Sequence, residues 1–344
     1  MDFFKKFTPH STRLPNNQQT VYQKHRQQNL YNDEHKNVSI VVGNSQQGKD
    51  TFIWSFDQNL LKNRKINIGD GKKSCTSQFE FINYKCSELI GLNQGIILNT
   101  IGLGDSSLNM DDSQIVTEIY AHFMREISKI SGGVHTFYFV QGLDASPILQ
   151  IERSLIYMQA ALGKDIFKSS VIIATKGNKL DDDDLETAIE CLKKLAVKYQ
   201  IKGGVIDYRC PYKKIVKGQE QYGTPVSDQQ FTEVKKELHK CLMGLDFFSI
   251  EPLMNNLKNE VENLKQQIKE DSKYYKEYFV KKVKRETRWY TLWLFEHKTT
   301  YFEKQYETLF TKTEPDILAE AMERALEKNI QEMKVALQQV TGDD

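Results

Sequence analysis

From Val38 onward, short apolar or β-branched runs alternate with stretches whose apolar residues recur at helical spacing. The runs Val38–Val42, Phe79–Tyr84, Gly95–Leu98, Thr136–Val140, Val171–Ala174 and Gly204–Tyr208 read as strands. Between them, Thr51–Leu61, Gln114–Ile130, Ile148–Ala161, Asp184–Tyr199 and Thr232–Leu242 read as helices. This alternation predicts an α/β domain with a mostly parallel, doubly wound sheet, and places the chemistry in loops at the carboxyl ends of the strands. Ahead of it, residues 1–36 are polar, rich in Asn and Gln and without sustained periodicity, and read as a flexible arm. Beyond Pro252 the pattern turns helical and highly charged, with Leu253, Leu257, Val261, Leu264 and Ile268 forming a stripe at spacings of four and three. The stripe suits a coiled coil or packing along the preceding domain, the second being more usual for so short a run. Pro315 separates a last amphipathic helix, from Ile317 to about Val340. The expected layout is an arm over 1–36, the α/β domain over 37–245 and a helical or coiled-coil extension over 246–344.

Length and charge narrow the class only a little. A chain of 344 residues can hold one large α/β domain and an extension. Its 47 basic and 46 acidic residues leave a net charge of +1, so no nucleic-acid partner is expected. The five cysteines, Cys75, Cys86, Cys191, Cys210 and Cys241, form no C-x-x-C pair and indicate neither a zinc site nor a disulfide framework. The N-terminus has no apolar signal region, and no apolar run reaches the roughly 18 residues of a membrane span. A cytoplasmic protein, or one peripheral to a membrane or a large assembly, is the expectation.

The first strand runs into Gly43-Asn44-Ser45-Gln46-Gln47-Gly48-Lys49-Asp50-Thr51. A strand, a Gly-x-x-x-x-Gly-Lys loop and a helix start form a cradle for a polyphosphate: the glycines let backbone N–H groups turn inward, and the Lys49 ammonium reaches the β- and γ-phosphates. The next position normally carries a Ser or Thr hydroxyl that ligates Mg²⁺, and here it is Asp50. Thr51 cannot replace it, because one residue along a helix turns the side chain by about 100°. A carboxylate about 4 Å from a phosphate oxygen is repelled by a few kcal/mol unless Mg²⁺ or Lys49 offsets it, so weakened affinity or altered metal dependence is expected.

Later loops extend the series. After Gly95–Leu98 comes Asn99-Thr100-Ile101-Gly102-Leu103-Gly104-Asp105, where an Asp-x-x-Gly would hold Mg²⁺ and sense the γ-phosphate through the glycine amide; Gly102 retains the amide and Asn99 lacks the charge. Thr76, in the polar loop before Phe79, either closes over metal and γ-phosphate or is simply part of a loop. After Val171–Ala174, Thr175-Lys176-Gly177-Asn178 resembles a guanine-reading loop. Its carboxylate is replaced by Asn178, which lowers the preference for guanine by about 1–3 kcal/mol. The run Asp181–Asp184 reads as a solvated cap of the following helix.

In their order these loops resemble the immunity-associated GTPases, or avirulence-induced-gene family, septin-like and chloroplast-import-receptor-like members of the G-protein superfamily. The resemblance spans about residues 37–245 and includes Ser74-Cys75-Thr76, Gly132-Gly133-Val134-His135-Thr136-Phe137-Tyr138-Phe139-Val140, Leu162-Gly163-Lys164-Asp165 and Gly203-Gly204. It implies a P-loop G domain that binds GTP or GDP and self-associates through its nucleotide face; the residues themselves place Thr175, Lys176 and Asn178 at the base and Asp50 and Thr76 beside an Mg²⁺ that is expected to be only weakly required. Asp50, Asn99 and Asn178 depart from the family, and Arg209-Cys210 stand near its base-contacting Phe-Asn-Asn, so hydrolysis is expected to be slow or lost. The residues assign neither an arginine finger nor a group that positions the attacking water. His135 reads as a structural residue at the mouth of a strand.

Two readings follow: a guanine-nucleotide switch or assembly module, and a catalytically silent scaffold that binds partners through its helical extension. In that extension, basic residues interleave with Tyr, Phe and Trp over 274–302. Such a segment either meets an anionic membrane interface or an acidic protein surface, or buries its aromatics and exposes its lysines.

Overall fold

The computed structural model describes residues 37–44, 46–55, 80–87, 92–100, 103, 111–144, 147–177, 180–208, 213–216, 219–222, 228–286 and 313–342. The arm 1–36, Ser45, Thr76, Gly102, Asn178 and Arg209-Cys210 lie outside the described residues, as do the side chains of the segment 274–302.

The main sheet is built from β1 (Asn37–Val42), β2 (Glu80–Ser87), β3 (Leu92–Asn99), β5 (Thr136–Gly142), β6 (Ser170–Thr175) and β7 (Val205–Asp207), in the order β2-β3-β1-β5-β6-β7. β2 runs antiparallel to β3, and every other pairing is parallel. Every residue of β1, β5 and β6 is buried, as expected of parallel strands covered on both faces. Two strands of two residues, β4 (Gly133–Val134) and β10 (Phe248–Ser249), pair beside the sheet, and β8 (Lys213–Val216) forms a hairpin with β9 (Gln219–Tyr222). Neither pair is expected from hydrophobic periodicity, because the first is too short and the second is largely polar.

Among the described residues the main helices of the domain are α1 (Lys49–Trp54), α2 (Asp112–His122, continued by a π turn Phe123–Ile127 and a last turn Ser128–Ile130), α3 (Pro147–Leu162), α4 (Asp182–Lys198) and α5 (Asp228–Gly244), with a 3-10 turn at Lys164–Ser169. Alternation along β5 divides the core. Tyr138 and Val140 join a cluster with Phe52 and Ile53 of α1 and Leu238 and Leu242 of α5. Phe137 stacks on Phe123, with ring centroids 6.2 Å apart, on the other face. Phe52 fixes the first helix: its ring meets Tyr138 and Tyr208 edge-on, each at 5.0 Å, and the Tyr208 hydroxyl donates to Ser55 Oγ at 2.6 Å. Burying a Phe side chain contributes about 1.5–3 kcal/mol, which holds α1 and the loop before it against the sheet. The predicted acidic cap is present on α4, where Asp181 accepts from the Asp184 amide at 2.8 Å.

Beyond the domain, the described helices are α6 (Glu251–Glu286) and α7 (Glu314–Thr341). The chain forms two compact units, one of residues 1–251 with 329–344 and one of residues 252–328. In the second unit Leu257, Val261 and Leu264 of the predicted stripe are buried, as are Ala321, Met322 and Leu326 of α7, and Arg324 donates to Gln267 at 2.8 Å. Pro315 stands in the first turn of α7, where a missing N–H costs nothing, and Thr313 and Asp316 cap that turn reciprocally. In the first unit Asn329 donates to the Ala160 carbonyl at the end of α3, and Met333 and Leu337 are buried. Among the described residues no helix is long and apolar enough to cross a membrane.

Candidate nucleotide site

The loop between β1 and α1 approaches its neighbours so closely that both glycines are required. A Cβ on Gly43 would stand 2.4 Å from the Val140 carbonyl oxygen; Gly48 has φ +91° and would press one against Thr175 Oγ1 at 3.0 Å. Gln46 also takes the left-handed conformation, at φ 65°. Lys49 opens the helix but points back over the loop, with its ammonium donating to Gly43 O at 2.7 Å and Asn44 O at 2.9 Å. The residue is only 6% exposed. An ammonium has three protons in rotatable positions, so this one is held beside the backbone amides of the loop, where an anion would be met.

Buried amides brace the loop from behind. Gln47 Oε1 accepts from the Gly142 amide at 2.7 Å and from Gln141 Nε2 at 3.1 Å, while its Nε2 donates to Gln150 of α3 at 3.0 Å. Its carbonyl accepts from Thr175 Oγ1 at 2.6 Å, and Ser154 of α3 donates to the Asn44 side chain at 3.2 Å. Thr175, expected at the base, is thus placed under the phosphate loop and ties it to the end of β6. Lys176, at φ 62°, lies across the ends of β5 and β6 and pairs with Asp144 at 3.1 Å. A Cβ on Gly177 would lie 3.5 Å from Asp207 Oδ1, so the end of β7 adjoins this loop.

On the other side of Lys49, Asp50 Oδ1 accepts from Asn99 Nδ2 at 3.0 Å. Asn99 is fully buried and stands opposite Glu80 in the β2–β3 register. Burial raises the Asp50 carboxyl above its ordinary pKa, outweighing the Asn99 hydrogen bond and the Lys49 charge. Glu80 is raised as well, first by burial and then by the Asp50 charge beside it. Thr51 is half-buried on α1. His135 belongs to the opposite end of the sheet: its Nδ1 accepts from the Val38 amide at 3.1 Å and its ring meets Phe247 edge-on at 5.0 Å.

The motif series did not single out Gln141, Asp144, Gln150, Ser154 or Glu80. Gln141 alone leaves a trace in the sequence, as an amide at the end of an otherwise apolar strand.

The antiparallel edge strand, the order β2-β3-β1-β5-β6-β7 and a glycine-lysine loop leaving the central β1 occur together. The fold is a P-loop G domain with a helical extension.

No family model and no curated protein matches this chain. Among solved structures it is similar to Toc33 from Arabidopsis thaliana. A dimerization-deficient mutant gives a TM-score of 0.45 at 12% identity, covering 66% of this chain and 92% of that one. Toc33 in complex with Mg²⁺ and GMPPNP gives 0.44 at 11% identity, covering 68% and 97%. A bacterial selenocysteine-specific elongation factor gives 0.33 at 14%, covering 51% and 26%. All three scores are below 0.5, and the reading of this G domain rests on its own residues.

Proposed function

We propose that this G domain binds a guanine nucleotide, GTP or GDP, and works as a switch or assembly module of the immunity-associated GTPase type, with little or no hydrolysis. The observation that carries this reading is Lys49, whose buried ammonium is held on the Gly43 and Asn44 carbonyls at the mouth of the loop. Amides of Gly43–Thr51 and Lys49 would take the phosphates, Thr175 and Gln47 keep the loop in shape, and Lys176 and Asn178 would lie along the base. Thr76 and Gly102 are assigned to the γ-phosphate by sequence alone.

Magnesium ordinarily takes one or two carboxylates together with phosphate oxygens rather than an all-protein cage. The residues present fit this: Asp50 offers one carboxylate beside Lys49, with its Oδ1 held by Asn99 Nδ2 at 3.0 Å, and Glu80 stands opposite Asn99 in the strand register. When bound, the cation would neutralise phosphate charge. Self-association through the G domain, a protein partner on the helical extension and contact of 274–302 with a membrane surface belong to the same proposal.

Denaturing the purified protein and identifying the released nucleotide by chromatography is the test. GDP or GTP is expected from the wild type and none from Lys49→Ala, with secondary structure retained in both. A wild-type protein that carries no nucleotide and binds neither GDP nor GTP in calorimetry would overturn the proposal.

A further inference from the structure

In the ordinary arrangement of a phosphate loop and its partner strand, a neutral hydroxyl follows the lysine and a carboxylate ends the strand. Taken singly, Asp50 and Asn99 each look like the loss of a metal ligand. They are instead in contact. Asn99, the last residue of β3 and fully buried, directs its amide nitrogen at Asp50 Oδ1, 3.0 Å away. The amide has only one way to face this partner, because an ionised carboxylate accepts and does not donate. One carboxylate and one neutral group therefore occupy the two positions, as in the ordinary arrangement, with their places exchanged.

The geometry points to a transposed metal site in which Asp50 is the direct carboxylate ligand of the nucleotide's divalent cation and Asn99 orients it. The hydrogen bond engages Oδ1 and leaves Oδ2 for a cation, in the way that partners behind a metal ligand fix its direction. Glu80, opposite Asn99 in the strand register, adds a second carboxylate near enough to act on Asp50. Direct ligation by an anion replaces the repulsion between Asp50 and phosphate with a bridge through the cation. Nucleotide binding should then depend strongly on the metal, contrary to the weak dependence that the two substitutions suggest when they are considered apart. The inference rests on the nucleotide reading above.

The experiment measures affinity for fluorescently labelled GDP in excess Mg²⁺ and in EDTA. Wild-type protein is expected to bind at least about 10-fold more tightly with Mg²⁺, which removes the repulsion between Asp50 and phosphate. Asp50→Ser and the nearly isosteric Asp50→Asn should erase the difference, and the exchange Asp50→Ser with Asn99→Asp should restore it. Circular dichroism establishes that each variant is folded. The inference is overturned if either single variant keeps the Mg²⁺ effect, or if the folded double variant resembles Asp50→Ser. Equal wild-type affinity in Mg²⁺ and EDTA would sink it too and spare the nucleotide reading; no GDP binding in either condition would remove both.

Discussion

Asp50 is a buried carboxyl whose ionised form weighs on the folded protein. Its carboxyl is raised from its ordinary pKa by burial, so the folded protein takes up this proton more readily than the unfolded chain. The stabilising contribution is therefore complete below the unfolded pKa and disappears as pH rises through the folded one. Near neutrality the ionised, partly desolvated group is a net cost. Asp50→Asn is accordingly expected to melt at a higher temperature than the wild type at about pH 7, without nucleotide or metal, and the gap should narrow as pH falls toward about 4. Thermal melts of both proteins across that range check it, and a gap that widens on acidification would contradict the sign. The same residue explains part of what sequence can reveal here. Gly43, Gly48 and Lys49 are legible because backbone and phosphate chemistry leave few alternatives at those spacings. The pairing of Asp50 with Asn99 and the bracing of Gln47 by Gln141 and Gln150 are not, since each joins residues 49 to 103 positions apart and depends on which strands become neighbours.

At the scale of elements, strands with strong alternation between apolar runs and turns are found where periodicity puts them. β1 and β6 differ from expectation by a residue at each end or less, whereas β2 and β3 extend by about three residues into polar positions such as Asn93 and Lys85 that only ladder pairing makes strand. The last helix carries a different lesson. Its amphipathic period fixes its length, but period alone does not say which body an apolar face meets. Residues 329–341 of α7 lie with the G domain unit, through Asn329 on Ala160 and the buried Met333 and Leu337. Met333→Asp puts an unpaired charge where a buried thioether stood, a change of about 3 kcal/mol or more. Amide hydrogen exchange over 329–341 is expected to accelerate by at least about 10-fold while β1 and β5 keep their protection. Unaltered exchange in that helix would mean that its docking contributes little to its order.

At the scale of the whole molecule, two compact units imply that heating need not give a single transition. A ligand held by one unit stabilises that unit by mass action, by about 2.7 kcal/mol at one hundred times its Kd. For a unit of this size that amounts to a shift of roughly 5–10 °C. GDP with Mg²⁺ is expected to raise the transition of the G domain unit and leave that of residues 252–328 in place. In the proposed site ADP would offer the same diphosphate to Lys49 and the loop amides but a different base edge to Lys176 and Asn178, the latter assigned by sequence. With an amide in place of the usual carboxylate, discrimination falls from a large factor to a modest one, so ADP should produce a smaller shift of the same transition at equal concentration. Calorimetric scans with each nucleotide distinguish the cases. A single shifted transition would mean that the units unfold together, a shift of two separate transitions that nucleotide stabilises both, and equal shifts with GDP and ADP would remove the case for guanine while leaving the phosphate site standing.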